Sequence, residues 1–260
     1  MVRHTPLCAS FGAEIHGIDL ARITAPQFHL LYALWKRHHV ILFRGQRLAD
    51  GEFDRFAARF GEIEAQAESE RADTEWHAAG AYLERPPFAH LMHAPQQAAC
   101  TGLWLASLSA ALRSMPTDLA SRLRRLAMRH AGSLAMAEPI AFGRVANDGP
   151  VHVTGSVHPV IVVQPESGEQ SLYLGNRRQS WFAGLAPDES ERLMNIVWSY
   201  ATAPAVTLHH AWQPGDVLLW NNLTTLHRHD PPMAASAQPP RHAQVRGRYV
   251  LTSPIQQEAA

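Results

Sequence analysis

His77, in the segment TEWHAAGAYLERPP at residues 74–87, is a residue whose type and surroundings could provide a metal ligand. In an extended strand the side chains at i and i+2 point to the same face, so position 79 would share the face of His77. A carboxylate there, together with one distant histidine, would complete a ferrous site of two imidazoles and one carboxylate. The chain has Ala79 instead, which has no donor atom. The segment therefore resembles half of an iron site with one ligand replaced.

The composition is that of a globular protein, with 260 residues, 46% hydrophobic and 18% charged. This length fits one large domain over residues 1–260. A net charge of zero and a pI near 7.3 give no indication of a nucleic-acid or membrane partner. There are two cysteines, no Cys-x-x-Cys pair, no signal peptide and no long apolar run, so we expect a cytoplasmic protein.

The elements that must position His77 follow from the hydrophobic patterns. Helical spacing predicts helices within residues 25–39, 49–62, 116–130 and 186–201. Short apolar runs predict strands at residues 40–43, 156–163, 171–175, 212–222 and 246–253, the second and third forming a hairpin. Few helices with many short strands and Gly/Pro turns are typical of a double-sheet β-fold decorated by helices.

Five stretches, in this order, resemble the taurine dioxygenase / 2,4-D dioxygenase (TauD/TfdA) family of Fe(II)- and 2-oxoglutarate-dependent oxygenases. They begin with FGAEIHG and end with WQPGDVLLWNNLTTLH, and WHAAGAYLERPP, GLWLAS and HPVIVVQPESGEQSLYLG lie between them. The resemblance covers nearly the whole chain. It implies a mainly β fold with flanking helices, a distorted double-stranded β-helix (jelly roll), and it implies Fe(II) and 2-oxoglutarate as cofactors.

The resemblance also implies roles for single residues. The two iron-binding histidines of the family fall on His77 and His227, and the carboxylate ligand falls on Ala79. Trp76 precedes the first histidine and is expected at the substrate. Arg248 matches a family arginine that would bind an anionic group of the substrate by paired hydrogen bonds. A structural salt bridge for Arg248, and metal-free core histidines, are the plainer alternatives.

The co-substrate positions depart from the family pattern as well. The threonine that helps to hold 2-oxoglutarate falls on Gly102, with Thr101 one residue earlier. The family's 2-oxoglutarate arginine falls on Gln244. Arg246 is expected on the same strand face and could take its place. Thr101 and Arg246 are therefore the residues predicted to bind the cofactor.

These changes leave several functions open. The first is an oxygenase with an altered iron site that acts on a small, anionic molecule. Glu75 could then replace the carboxylate and His229 could extend the site, although a solvated residue at a loop end and a polar strand end are the plainer alternatives for these two. The second is a halogenase, in which chloride takes the place of the missing carboxylate at Ala79. The third is a catalytically silent or non-redox protein that binds a ligand or supports a homologous partner subunit, and a homo-oligomer is also possible. Changes at three positions favour an altered or lost activity.

Overall fold

The computed structural model describes residues 2–49, 51–64, 74–95, 102–131, 155–231 and 240–258; Cys100 and Thr101 lie outside these ranges. The strands are β1 (Arg3–Pro6), β2 (Ala13–His16), β3 (Val40–Phe43), β4 (Ile63–Glu64), β5 (Ala89–His93), β6 (Leu103–Ser107), β7 (Ala127–His130), β8 (Val157–Pro159), β9 (Ile161–Val163), β10 (Gln170–Leu172), β11 (Ser180–Phe182), β12 (Thr207–His210), β13 (Val217–Asn221), β14 (Thr225–His229) and β15 (Arg241–Val245). The helices are α1 (Ala25–His38), α2 (Glu52–Ala57), α3 (Leu108–Ser114), α4 (Thr117–Leu123), α5 (Pro187–Ala201) and α6 (Pro254–Glu258).

The strands form two principal sheets. A seven-stranded sheet has the order β1-β2-β3-β13-β5-β15-β4, and a three-stranded sheet has the order β12-β6-β14. A second three-stranded sheet (β11-β7-β8) and the hairpin β9-β10 complete the β structure. The predicted mainly β, jelly-roll-like fold with flanking helices is confirmed.

Helix α1 shows how the helices pack on this frame. Its first turn carries a capping box, in which Thr24 accepts a hydrogen bond from the Gln27 backbone and the Gln27 side chain accepts one from Thr24. Leu31 and Trp35 are fully buried, as their spacing predicts. The helix ends at His38. Its C-cap residue, His39, has a left-handed φ of 63°, and the buried strand β3 follows directly.

The two principal sheets enclose an apolar layer that also carries the site. Leu218 and Trp220 of β13, Leu103 and Leu105 of β6, and Met92 of β5 belong to one buried cluster. The alternate β13 residues pack into the larger core on the other face. Both faces of β13 are therefore buried. None of the helices in the described ranges is both long and apolar enough to cross a bilayer.

Two predicted elements were wrong in extent. The helix expected over residues 116–130 ends at Leu123, and Ala127–His130 is strand β7, paired with β8 and β11. The strand expected at residues 246–253 is also wrong, because the last strand, β15, ends at Val245.

Candidate functional site

His77 and His227 lie side by side between the sheets. Their backbones form an isolated antiparallel bridge, in which each N–H donates to the other residue's carbonyl oxygen at 3.0 and 2.9 Å. The ring centroids are 4.2 Å apart, and both side chains are buried. The structure thus brings together the two histidines that the family resemblance singles out. Their role as metal ligands stays a prediction.

The imidazole of His77 is oriented by a backbone carbonyl two residues earlier in the chain. Its Nδ1 lies 2.9 Å from the carbonyl oxygen of Glu75. Since a carbonyl only accepts, Nδ1 carries the proton and donates, which leaves the lone pair on Nε2. The Glu75 carboxylate lies 2.8 Å from Arg178 in a salt bridge. It is therefore engaged away from His77, and the geometry does not support Glu75 as a replacement ligand.

Ala79 is buried and held in place by one asparagine. Its N–H donates to Asn222 Oδ1 at 3.0 Å, and Asn222 Nδ2 donates to the carbonyl oxygens of Ala79 and Pro87, both at 2.9 Å. The position at which the family resemblance predicts a carboxylate ligand is thus an alanine that is 1% exposed. Across the described ranges, no three His, Cys, Asp or Glu side chains are grouped so that they could hold a metal ion.

Three more side chains of the seven-stranded sheet face this histidine pair. Trp220, His90 and Gln244 are direct partners across β13, β5 and β15, so their side chains project from one face as a row. The His227 ring centroid lies 5.0 Å from that of Trp220 and 5.7 Å from that of His90. We call Trp220, His90, Gln244 and the facing His227 the polar row.

Two further histidines border the polar row. His90 Nδ1 lies 3.2 Å from His242 Nε2, and the His229 ring centroid lies 6.2 Å from that of His227. Burial lowers the pKa of His90 and of His227 well below 6.5, and the neighbouring imidazoles lower both further. The imidazoles of His90 and His227 are therefore neutral near pH 7.

Gly102 does not face the histidines. Leu103 and Leu105 are the partners of His229 and His227 in the β6–β14 pairing, and position 102 faces the other way. A Cβ at Gly102 would overlap the side chains of His209 and Asp230. The expectation that a threonine at this position would line the site is wrong in this structure. Thr101 lies outside the described residues.

Arg246 and Arg248 also lie elsewhere. Arg246 follows the end of β15, and its N–H still donates to the carbonyl oxygen of Glu62 at 2.8 Å. The Arg246 side chain is 56% exposed and binds Glu62 and Glu64 at 2.9 and 2.7 Å. The hydrogen bonds of Arg246 go to Glu62 and Glu64 and not to the polar row, and its predicted role in cofactor binding is untested.

The Arg248 guanidinium donates to Glu166 Oε1 at 2.7 Å and to Tyr32 Oη at 3.1 Å. It also stacks 4.7 Å above the Phe88 ring. A salt bridge, the alternative interpretation, is what the structure shows for this arginine. Its predicted contact with a substrate anion is untested.

Trp76 packs against Arg228, on the face opposite the side chains of His77 and His227. The Arg228 guanidinium lies 5.2 Å from the Trp76 ring and 5.1 Å from the Trp104 ring, so the cation is held between two indoles. Neighbouring residues in extended backbone point to opposite faces, and Trp76 and Arg228 each adjoin one of the paired histidines. The structure thus gives Trp76 a packing partner, while its predicted contact with substrate is untested.

His90, His242 and Trp220 were not singled out from the sequence. His90 and Trp220 lie in apolar strand patterns, where a histidine or a tryptophan is ordinarily a core residue. The available signal was the spacing of RHAQV, which places His242 and Gln244 on one strand face. Only the pairing of β13, β5 and β15 brings the row together.

Known proteins are similar to this chain in both sequence and fold. The model of the taurine catabolism dioxygenase TauD, TfdA family matches residues 3–246. The (S)-phenoxypropionate/alpha-ketoglutarate-dioxygenase of Sphingobium herbicidovorans is 30% identical over 260 residues, covering 87% of this chain and 88% of that protein. The alpha-ketoglutarate-dependent sulfate ester dioxygenase of Pseudomonas putida is 28% identical over 249 residues, covering 85% and 82%.

A solved structure agrees with the fold. AAD-2, crystallised with Mn(II) and N-oxalylglycine, has a TM-score of 0.83 and 20% identity, and the match covers 97% of this chain and 100% of that one. At this identity the similarity shows the fold alone. The family match over residues 3–246, together with the relatives that span most of the chain, shows that this protein belongs to the taurine catabolism dioxygenase TauD, TfdA family.

Proposed function

We propose that this protein is a divergent member of the family with an altered iron site, which binds a small organic molecule between its two principal sheets. In this proposal it does not carry out the ordinary 2-oxoglutarate-coupled oxygenation. The observation that carries the proposal is Ala79, buried at the carboxylate position and fixed through its backbone by Asn222.

The side chains present do not fit the iron site of the family. His77 and His227 supply two imidazoles, and the anionic third ligand is missing. A divalent ion at this place would lose one coordinate bond and one compensating negative charge. Glu75, the nearest carboxylate in sequence, is bound to Arg178. Chemistry on iron is therefore not part of the proposed function.

The described residues do not fit 2-oxoglutarate either. Gln244 lacks the positive charge of the arginine it replaces, Gly102 faces His209 and Asp230, and Arg246 binds two surface glutamates. A hydrogen bond to a charged group contributes about 1.5–3 kcal/mol, and a buried carboxylate without a partner costs more. Loss of two such contacts would weaken 2-oxoglutarate binding by roughly two to four powers of ten.

The ligand class is proposed at the level of a small organic molecule. The two relatives are named for (S)-phenoxypropionate and for sulfate esters. An acidic substrate in this chain would require Arg248 to exchange Glu166 for the substrate anion. For that reason the relatives' substrates support the size of the ligand more than its charge.

A halogenase is the second candidate, favoured by the small side chain at position 79 beside two adjacent histidines. Chloride in place of the carboxylate would restore one negative ligand. A halogenase still consumes 2-oxoglutarate, however, and the change at Gln244 is not explained by it. It therefore ranks below the first proposal.

The test is a succinate-release assay with Fe(II), 2-oxoglutarate, ascorbate and a panel of small organic acids and amides, with and without chloride. The variant carrying Ala79→Asp and Gln244→Arg serves as the matched comparison. We expect no succinate from the unmodified protein above a metal-free blank. Substrate-stimulated succinate would overturn the proposal, and a chlorinated product that appears only with chloride would establish the second candidate.

A further inference from the structure

The polar row contains buried hydrogen-bonding atoms that the protein leaves unused. Trp220 Nε1, His90 Nε2, Gln244 Oε1 and His227 Nδ1 have no hydrogen-bond partner in the part of the chain that the structure describes. All four side chains are at least nine-tenths buried. Buried polar groups in proteins are normally satisfied by protein, ordered water or ligand. Four on facing surfaces therefore indicate a site for a molecule that supplies the partners.

The chemistry of these atoms restricts what the molecule can be. The indole nitrogen of Trp220 only donates, and the amide oxygen of Gln244 only accepts. A complementary ligand must therefore present both an acceptor and a donor. An ionised carboxylate has acceptors alone, so it would leave the Gln244 oxygen unmatched.

Three arginines of β14 and of the segment after β15 make contacts away from the polar row. Arg228 lies between Trp76 and Trp104, whereas Arg246 and Arg248 bind glutamates. A buried anion would thus lack a compensating charge from any of these groups.

We propose that the polar row binds an uncharged molecule with both a hydrogen-bond donor and an acceptor, such as a carboxamide or a nitrogen heterocycle. The inference rests on the proposed function and specifies its ligand class. The amide of Gln244, at the position of the family's 2-oxoglutarate arginine, would then select against the dianion and pair with an amide-like group.

The experiment compares glutaramide with glutarate, which share a five-carbon skeleton and differ in having two amides or two carboxylates. Binding is measured by ligand-observed NMR and calorimetry on the full chain after dialysis against a chelator, with neither iron nor 2-oxoglutarate present. We expect glutaramide to bind at least about tenfold more tightly than glutarate. In Gln244→Arg the preference should reverse, and in the surface control Arg246→Gln it should stay.

Binding of the two compounds to the unmodified protein is sufficient to test the proposal, so the test does not depend on a variant that could fold poorly. Preference for glutarate, equal binding, or no binding of either compound would overturn the ligand class and leave ordered water as the partner of these atoms. Because no turnover is measured, these outcomes are separate from the succinate assay. Succinate formation would overturn the proposed function, whichever compound binds.

Discussion

At the scale of single residues, the proposed function depends on Ala79, which supplies no metal ligand beside His77 and His227. Replacing it by aspartate returns an anionic ligand two residues from His77, while the Asn222 hydrogen bonds persist because they involve only the backbone of residue 79. We expect Ala79→Asp to bind Fe(II) at least about tenfold more tightly, or about 1.4 kcal/mol. Anaerobic calorimetric titration measures this. Ala79→Asn is the uncharged control of equal size, and equal affinities in the two variants would show that the histidines are not preorganised for metal.

Gly102 is required by packing rather than by cofactor chemistry. A Cβ at this position would overlap His209 and Asp230, which are hydrogen-bonded to each other at 2.9 Å. We therefore expect Gly102→Thr to lower the free energy of unfolding by about 1–3 kcal/mol, as measured by urea denaturation. Adding His209→Ala should recover part of the loss. A Gly102→Thr protein as stable as the parent would mean that the strand shifts to admit the side chain.

Single residues also show which parts of the candidate site could be predicted from the sequence. His77 and His227 were paired from motif resemblance, and the structure places them in adjacent backbone positions. The strand expected at residues 246–253 was wrong because the last strand ends at Val245. His90 and His242 were missed because no local pattern separates a histidine in a site from one in a core. Their meaning depends on which strands become neighbours.

At the scale of elements, Asn222 joins the β13–β14 turn to the segment that follows His77. It makes three hydrogen bonds to the backbone of Ala79 and Pro87, and it is fully buried. Asn222→Ala leaves those groups without partners, so we expect a loss of about 2–4 kcal/mol in the free energy of unfolding. Asn222→Asp keeps the acceptor for Ala79 N–H but loses the donors, and should be intermediate or worse. Denaturation with urea tests this; unchanged stability in Asn222→Ala would contradict it.

Elements were predicted best where local and long-range preferences agree. The residues of α1 carry a capping box and an apolar stripe, and the observed helix begins and ends close to its predicted limits. Residues Ala127–His130 continue a helical pattern in sequence but form β7, because pairing with β8 and β11 outweighs weak helix propensity. Strand order, which assembles the polar row, is set by such distant pairings.

At the scale of the whole molecule, buried histidines couple stability to pH. Burial, and to a smaller extent the neighbouring His158, lower the pKa of His130 from 6.5 to about 3, and burial also lowers the pKa of His158. His130 Nδ1 lies 2.9 Å from Ser180 Oγ, with its ring centroid 5.6 Å from that of His158. The folded protein thus holds these imidazoles neutral in a range where the unfolded chain protonates them.

The sign of the pH dependence follows from that difference. Between about pH 6.5 and pH 3 the unfolded state binds more protons than the folded state at His130, so stability falls as the pH falls through this window, by up to about 1.4 kcal/mol per pH unit for each such histidine. Urea unfolding at a series of pH values measures the slope. We expect His130→Asn to flatten it, whatever the variant's stability near neutral pH, and the exposed His29→Gln to control for the loss of one histidine. Parallel profiles for His130→Asn and the parent protein would show that His130 takes up its proton in the folded state as readily as in the unfolded chain.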